Sequence, residues 1–76
     1  MSPDRLIYMA NQIGRFFAHC PPDVAAIDIA NHLRKFWDPR MRLQIIAKLD
    51  QPDAAFEPTV RRAVESLRQT TGNVAS

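Results

Sequence analysis

The residues able to do chemistry in this 76-residue sequence are few, and they fall into two groups. The first is nucleophilic or metal-ligating: His19 and Cys20 are adjacent, and His32 follows on a separate segment. A His-Cys pair with a distant His offers three zinc donors, yet no fourth is apparent and the spacing matches no common zinc pattern. Cys20 could also serve as a nucleophile with a histidine base, but nothing in the sequence orients that pair. Gly14 stands alone, so there is no glycine-rich loop to cradle phosphate. A chain this short also has little material for a deep pocket. The expectation is a protein that is not an enzyme by itself and binds neither metal nor cofactor.

The second group suits binding. In "FWDPRMRLQ" (36–44), Trp37 precedes a helix-opening Asp-Pro, and Arg40 and Arg42 follow in the first turn. A helix start carries partial positive charge, so two guanidiniums gain nothing from the local dipole there. Trp and Arg are also the types that most often dominate interface energetics. Core packing for Trp37, and salt bridges for the arginines, are the ordinary alternatives. Around this point Arg34, Lys35, Arg40, Arg42 and Lys48 face Asp38 alone, a local balance of +4 in a chain of net charge +2. That concentration fits either a site for an anionic partner or a solvated helix face. Asn11 and Gln12 form a lesser candidate, with Tyr8 and Arg15 on the same side of their helix. They are either solvated amides or hydrogen-bonding positions in an interface.

What must position these residues is helical. Ser2 caps a first helix opened by Pro3, and Leu6, Met9, Ala10, Ile13, Phe16 and Phe17 recur at helical spacing to about Ala18. Gly14 interrupts this stripe, and it either lets another helix come close or is a tolerated surface glycine. Pro21-Pro22 ends it. Asp23 is expected to cap the second helix, whose face comprises Ala26, Ile29, Ala30, Leu33, Phe36 and Trp37. Val24 and Ile27 lie to its side, giving a stripe wider than one neighbour covers. Asp38 caps a third helix opened by Pro39, with Met41, Ile45, Ile46 and Leu49 inward. After the polar "DQPDA", Pro58 opens a fourth, carrying Val60, Ala63, Val64 and Leu67 and ending near Gly72. The expected fold is therefore all-α, a small bundle of about four short helices, two longer and two shorter. Residues 1–70 form a single helical domain and 71–76 a frayed C-terminal tail.

The totals agree. A chain of this size buries only roughly 60% of its unfolded surface, and small chains usually lean on a disulfide, a metal or a partner. With one cysteine no internal disulfide is possible, which favours a reducing compartment. No apolar run approaches the ~20 residues that span a bilayer, and "MSPDRLIYMA" lacks a signal-peptide layout. Cytoplasmic localisation, away from membranes, is expected.

Set side by side, "MANQIGRFF" (9–17), "HLRKFWDPRMR" (32–42) and, more loosely, "PTVRRAVESL" (58–67) resemble the delta subunit of soluble NAD-dependent formate dehydrogenases. These blocks cover less than half of the chain, in the family's order, and the middle one is the specific one. The loop between Leu49 and Pro58 departs from the pattern, having no glycine and Phe56 where Leu is expected. The resemblance implies a small accessory subunit that docks on the catalytic alpha subunit of a cytoplasmic complex. Such a subunit supports cofactor insertion, assembly or stability of the active enzyme. The complex would carry a molybdenum or tungsten bis-pterin, iron–sulfur clusters, FMN and NAD, none bound by this chain. Asn11, Gln12, Arg34, Trp37, Arg40 and Arg42 match the family's blocks and become candidate partner contacts, with no nucleic acid among the partners. The residues alone leave two other readings open: a small basic helical nucleic-acid-binding domain, and a freestanding homodimer that closes the second helix's stripe on itself.

Overall fold

In the computed structural model, residues 2–74 are described, with side chains as far as Gln69. Four helices follow in order: α1 (Pro3–Phe16), α2 (Pro22–Phe36), α3 (Pro39–Ala47) and α4 (Pro58–Val74). A 3-10 turn, Lys48–Asp50, tightens the end of α3. The protein is all-α, and there is no strand among the described residues.

Two helix starts follow directly from their sequence. The Ser2 hydroxyl accepts from the Arg5 amide, and the Asp38 carboxylate accepts from the Met41 amide at 2.9 Å; in both helices Pro occupies the first position. Pro pre-sets the helical φ where no amide is needed, and the preceding acceptor satisfies a free N–H. α2 is different. Its cap is Pro21, with no side-chain cap, and Asp23 lies inside the first turn. The expected Asp23 cap is thus corrected: Pro22 already opens the helix, and the Asp23 carboxylate instead meets Arg62 of α4 at 2.6 Å.

The lengths also differ from expectation. α3 alone is short, at nine residues, against 14, 15 and 17 for the others. α4 is assigned through Val74, beyond Gly72, so the expected tail begins within the helix. Ala75 and Ser76 lie outside the described residues.

A single core cluster draws on every helix. Leu6, Ile29, Leu33, Ile45, Val60 and Val64 are its largest fully enclosed side chains. α2 packs most extensively on α4, while α1 touches α2, α3 and α4. The radius of gyration, 11.5 Å, matches the roughly 11 Å expected of a compact chain of this length. No polar or charged residue is buried among the described residues, so burial here is apolar throughout.

The stripes are right in phase and wrong at their ends. Phe16 and Phe36, both assigned inward, are 78% and 71% exposed. Each is the last residue of its helix, and Phe16 continues the exposed line of Tyr8 and Gln12 on α1. Ile7 and Ala25, outside the expected stripes, are buried. Val24 and Ile27 stay exposed on α2, as its wide apolar arc implies.

Gly14 marks a close approach. A Cβ there would sit 2.6 Å from Val60 Cγ2 at the start of α4. Val is stiff at χ1 and Val60 is fully buried, so it cannot swing aside. Gly14→Ala therefore sets an overpacking cost of about 1–3 kcal/mol against a helix-propensity gain of about 1 kcal/mol. The expected result is net destabilisation, read as a lower urea midpoint with an unchanged m-value.

Candidate functional site: the α2–α3 corner

The corner is made by two consecutive extended residues. Trp37 ends α2 at φ −96°, ψ 138°, and Asp38 follows at φ −73°, ψ 165°. Pro39 excludes the helical region at Asp38, so the chain must turn before α3 can start.

Arg42 resolves the charge puzzle of this stretch. Its Nη1 donates to the Trp37 carbonyl at 2.6 Å and to the Arg34 carbonyl at 3.2 Å. Those oxygens belong to the C-terminal turn of α2, the negative end of that helix. A guanidinium misplaced for its own helix is thus well placed for the one before it. Trp37 is 6% exposed and belongs to the core cluster with Leu33, Ile45 and Leu49. Trp37 thus takes the core-packing alternative, and Arg42 is half-buried over the carbonyls that it serves. Their work is to hold the corner.

The exposed part of the corner is made by other residues. Among the described residues Arg40 makes no hydrogen bond or ion pair through its side chain, and it is exposed. Leu43, three positions on and therefore on the same face of α3, is 56% exposed. Phe36 at the end of α2 packs against His32 in a tilted arrangement, with ring centroids 4.7 Å apart. Arg34 is exposed and donates to Asn31 Oδ1 at 3.1 Å. The sequence reading missed Leu43 and placed Phe36 in the core. The available signal was position: Leu43 is out of phase with Met41 and Ile45, and Phe36 ends its helix.

The half-buried Asn11 has its amide engaged within the chain. Its Nδ2 donates to the Ala55 carbonyl at 2.9 Å, and its Oδ1 accepts from the Glu57 amide at 3.1 Å. One amide thus clamps the 51–57 loop onto α1, using both of its faces. Arg61 completes the anchorage, donating to the Leu49 carbonyl at 3.0 Å with its guanidinium 5.8 Å from the Phe56 ring. Asn11→Ala is expected to cost about 1–3 kcal/mol by leaving two backbone groups unpaired. Faster amide exchange at Glu57 would be the local signature. Gln12, one residue on, donates from Nε2 to the exposed Tyr8 hydroxyl at 3.1 Å.

His19 is exposed, and Cys20 and His32 are half-buried. Cys20 borders a hollow between the end of α1 and the start of α4, together with Gly14, Arg15, Glu57 and Val60. No group of three or more His, Cys, Asp or Glu among the described residues could hold a metal ion. Nor is any helix among them long and apolar enough to cross a membrane.

These features define a small all-α protein whose most elaborated feature is a braced helix corner with apolar and cationic groups outside it. Residues 5–64 match the model of the family described as NADH-dependant formate dehydrogenase delta subunit FdsD, and the chain belongs to that family. The match takes in nearly all of α1, all of α2 and α3, and the first turns of α4. It agrees with the resemblance carried by the three sequence blocks. No curated protein and no solved structure matches the chain.

Proposed function

We propose that this chain is a non-catalytic accessory subunit of a cytoplasmic NAD-dependent formate dehydrogenase, docking on the catalytic alpha subunit. Its role is to support cofactor insertion and assembly, or to stabilise the active enzyme. The partner complex carries the molybdenum or tungsten bis-pterin, the iron–sulfur clusters and the FMN that pass electrons to NAD. This chain contributes none of these groups. Membership of the delta-subunit family supports the reading.

The observation that carries the docking assignment is the corner itself: Phe36, Arg40 and Leu43 are exposed on a backbone fixed by Arg42 and Trp37. A pre-organised anchor loses little entropy on binding, and an Arg without a partner among the described residues is free to take a carboxylate bidentately. Of the six expected contacts, we assign Arg40 and Arg34, both exposed, to the partner. Trp37, Arg42 and Asn11 keep the docking surface in shape, and Gln12 lies on the outer face of α1. Lys48, Arg61, Arg62 and Arg68 are taken up by Asp4, Glu65, Asp23 and Asp50, which leaves little continuous basic surface for a nucleic acid.

Two experiments test this. Phe36→Ala with Arg40→Glu should abolish co-purification with the alpha subunit while leaving stability within about 0.5 kcal/mol, as exposed substitutions usually do. Intact complex formation by that variant would remove the corner from the interface. Enzyme produced without this chain should lose formate-dependent NAD reduction. Loss of bound metal alongside activity would indicate assembly, and metal retained would indicate a later structural role. Full activity and metal content without the chain would refute the accessory role.

A further inference from the structure

We infer that the outer face of α1 is a second docking surface, shaped to enter an apolar groove rimmed by carboxylates on a protein of the same assembly. The inference rests on the subunit reading above but not on the α2–α3 corner. Tyr8, Gln12 and Phe16 are spaced four apart, so they form one line along the helix, away from the core residues Leu6, Ala10 and Phe17. Tyr8 is 58% exposed and Phe16 more so. The Gln12 amide donates to the Tyr8 hydroxyl and holds that ring in place before any partner arrives. Arg5 and Arg15 flank the line about 15 Å apart along the axis, at 1.5 Å per residue. Neither guanidinium has a hydrogen-bond or ion-pair partner among the described residues. The neighbouring Asp4 is committed to Lys48 at 3.0 Å, which leaves the two arginines to set the sign of the face.

Charge selects the occupant. A second copy of this chain would lay the face on itself, and full overlap sets Arg5 against Arg5 in the parallel sense or against Arg15 in the antiparallel sense. Like charges at close range oppose that pairing. A groove with apolar floor and acidic ends takes both rings and both guanidiniums, the helix-in-groove mode read from anchors at i, i+4 and i+8.

The test uses the full chain and the rest of its native complex. One variant carries Tyr8→Ala with Phe16→Ala, and a second carries Arg5→Glu with Arg15→Glu. Helicity and thermal midpoint should match the native chain, because all four side chains are exposed. Each variant should bind the complex at least about 30-fold more weakly, the loss typical of removing one interface hot spot. A benzoylphenylalanine placed at Gln12 should cross-link to a segment of another subunit in which acidic residues flank apolar ones. Unweakened binding by both variants would overturn the inference while leaving the subunit role intact. Cross-linking only to a second copy of this chain, or retention of the face by RNA or anionic vesicles instead of the complex, would overturn it too. Failure of the native chain itself to bind any formate dehydrogenase subunit would remove both readings at once.

Discussion

Trp37→Ala should bring the chain to the edge of unfolding at room temperature. Truncating a buried Trp costs about 3–5 kcal/mol, while a domain of this length holds roughly 4–11 kcal/mol in total, at 0.05–0.15 kcal/mol per residue. The upper half of the cost range is expected here. The ring lies at the junction of α2 and α3, so the void would open between two elements that both depend on it. Among the described residues no polar or charged residue is buried, so without the ring the hydrogen bonds of the half-buried Arg42 are left to hold the corner. Trp37→Phe keeps the aromatic packing and should lose far less. Urea unfolding followed by far-UV circular dichroism would measure both variants, since the only Trp is the residue removed. A Trp37→Ala cost below about 1 kcal/mol, within the range of an ordinary point mutation, would mean the corner does not depend on the ring. If the cost is large, docking should fall in step with the folded fraction.

The parts of this fold that were legible in advance are those decided within a few residues. Ser2-Pro3 and Asp38-Pro39 place an acceptor and a fixed φ side by side, and the chain has little choice about starting a helix there. Gly14 could be read as a close approach because a helix rarely accepts its propensity cost without a packing reason. What escaped were contacts whose partners lie far along the chain. Asn11 looked outward by phase, and nothing in its neighbourhood shows that a loop 44 residues later crosses over it. Asp23 looked like a cap because it follows Pro-Pro; its partner Arg62 is 39 residues away. Periodicity puts Phe16 at the edge of the α1 stripe and Phe36 at the end of α2 but does not say whether the core covers either, so both were placed inside. The family could be read from local blocks and needs no such contact, which is why it was legible when Phe36 and Leu43, the exposed apolar members of the corner, were not.

Arg42 tests how the helices are joined. It is the fourth residue of α3, counted from Pro39, and reaches back to the last turn of α2; Arg61 is the fourth residue of α4, counted from Pro58, and reaches back to the Leu49 carbonyl after α3. Each connection thus uses Pro to start a helix and an Arg three positions later to satisfy carbonyls that the preceding helix leaves open. Hydrogen bonds from a charged donor contribute about 1.5–3 kcal/mol. Arg42 serves two carbonyls from a half-buried position, so Arg42→Ala should cost about 2–3 kcal/mol, second only to the loss of Trp37. Arg42→Lys should recover about half of that. One nitrogen makes both contacts, which an ammonium can imitate, but the ammonium is more strongly hydrated and gives up more on partial burial. Arg61→Ala should cost less, about 1.5 kcal/mol, because it satisfies one carbonyl. The decisive comparison is with Arg40, two residues from Arg42 and without a partner among the described residues: Arg40→Ala should leave the urea midpoint unchanged and weaken docking, whereas Arg42→Ala should lower the midpoint first. Equal effects of the two substitutions on stability would show that Arg42 is no brace, and the corner would then need another explanation for its geometry.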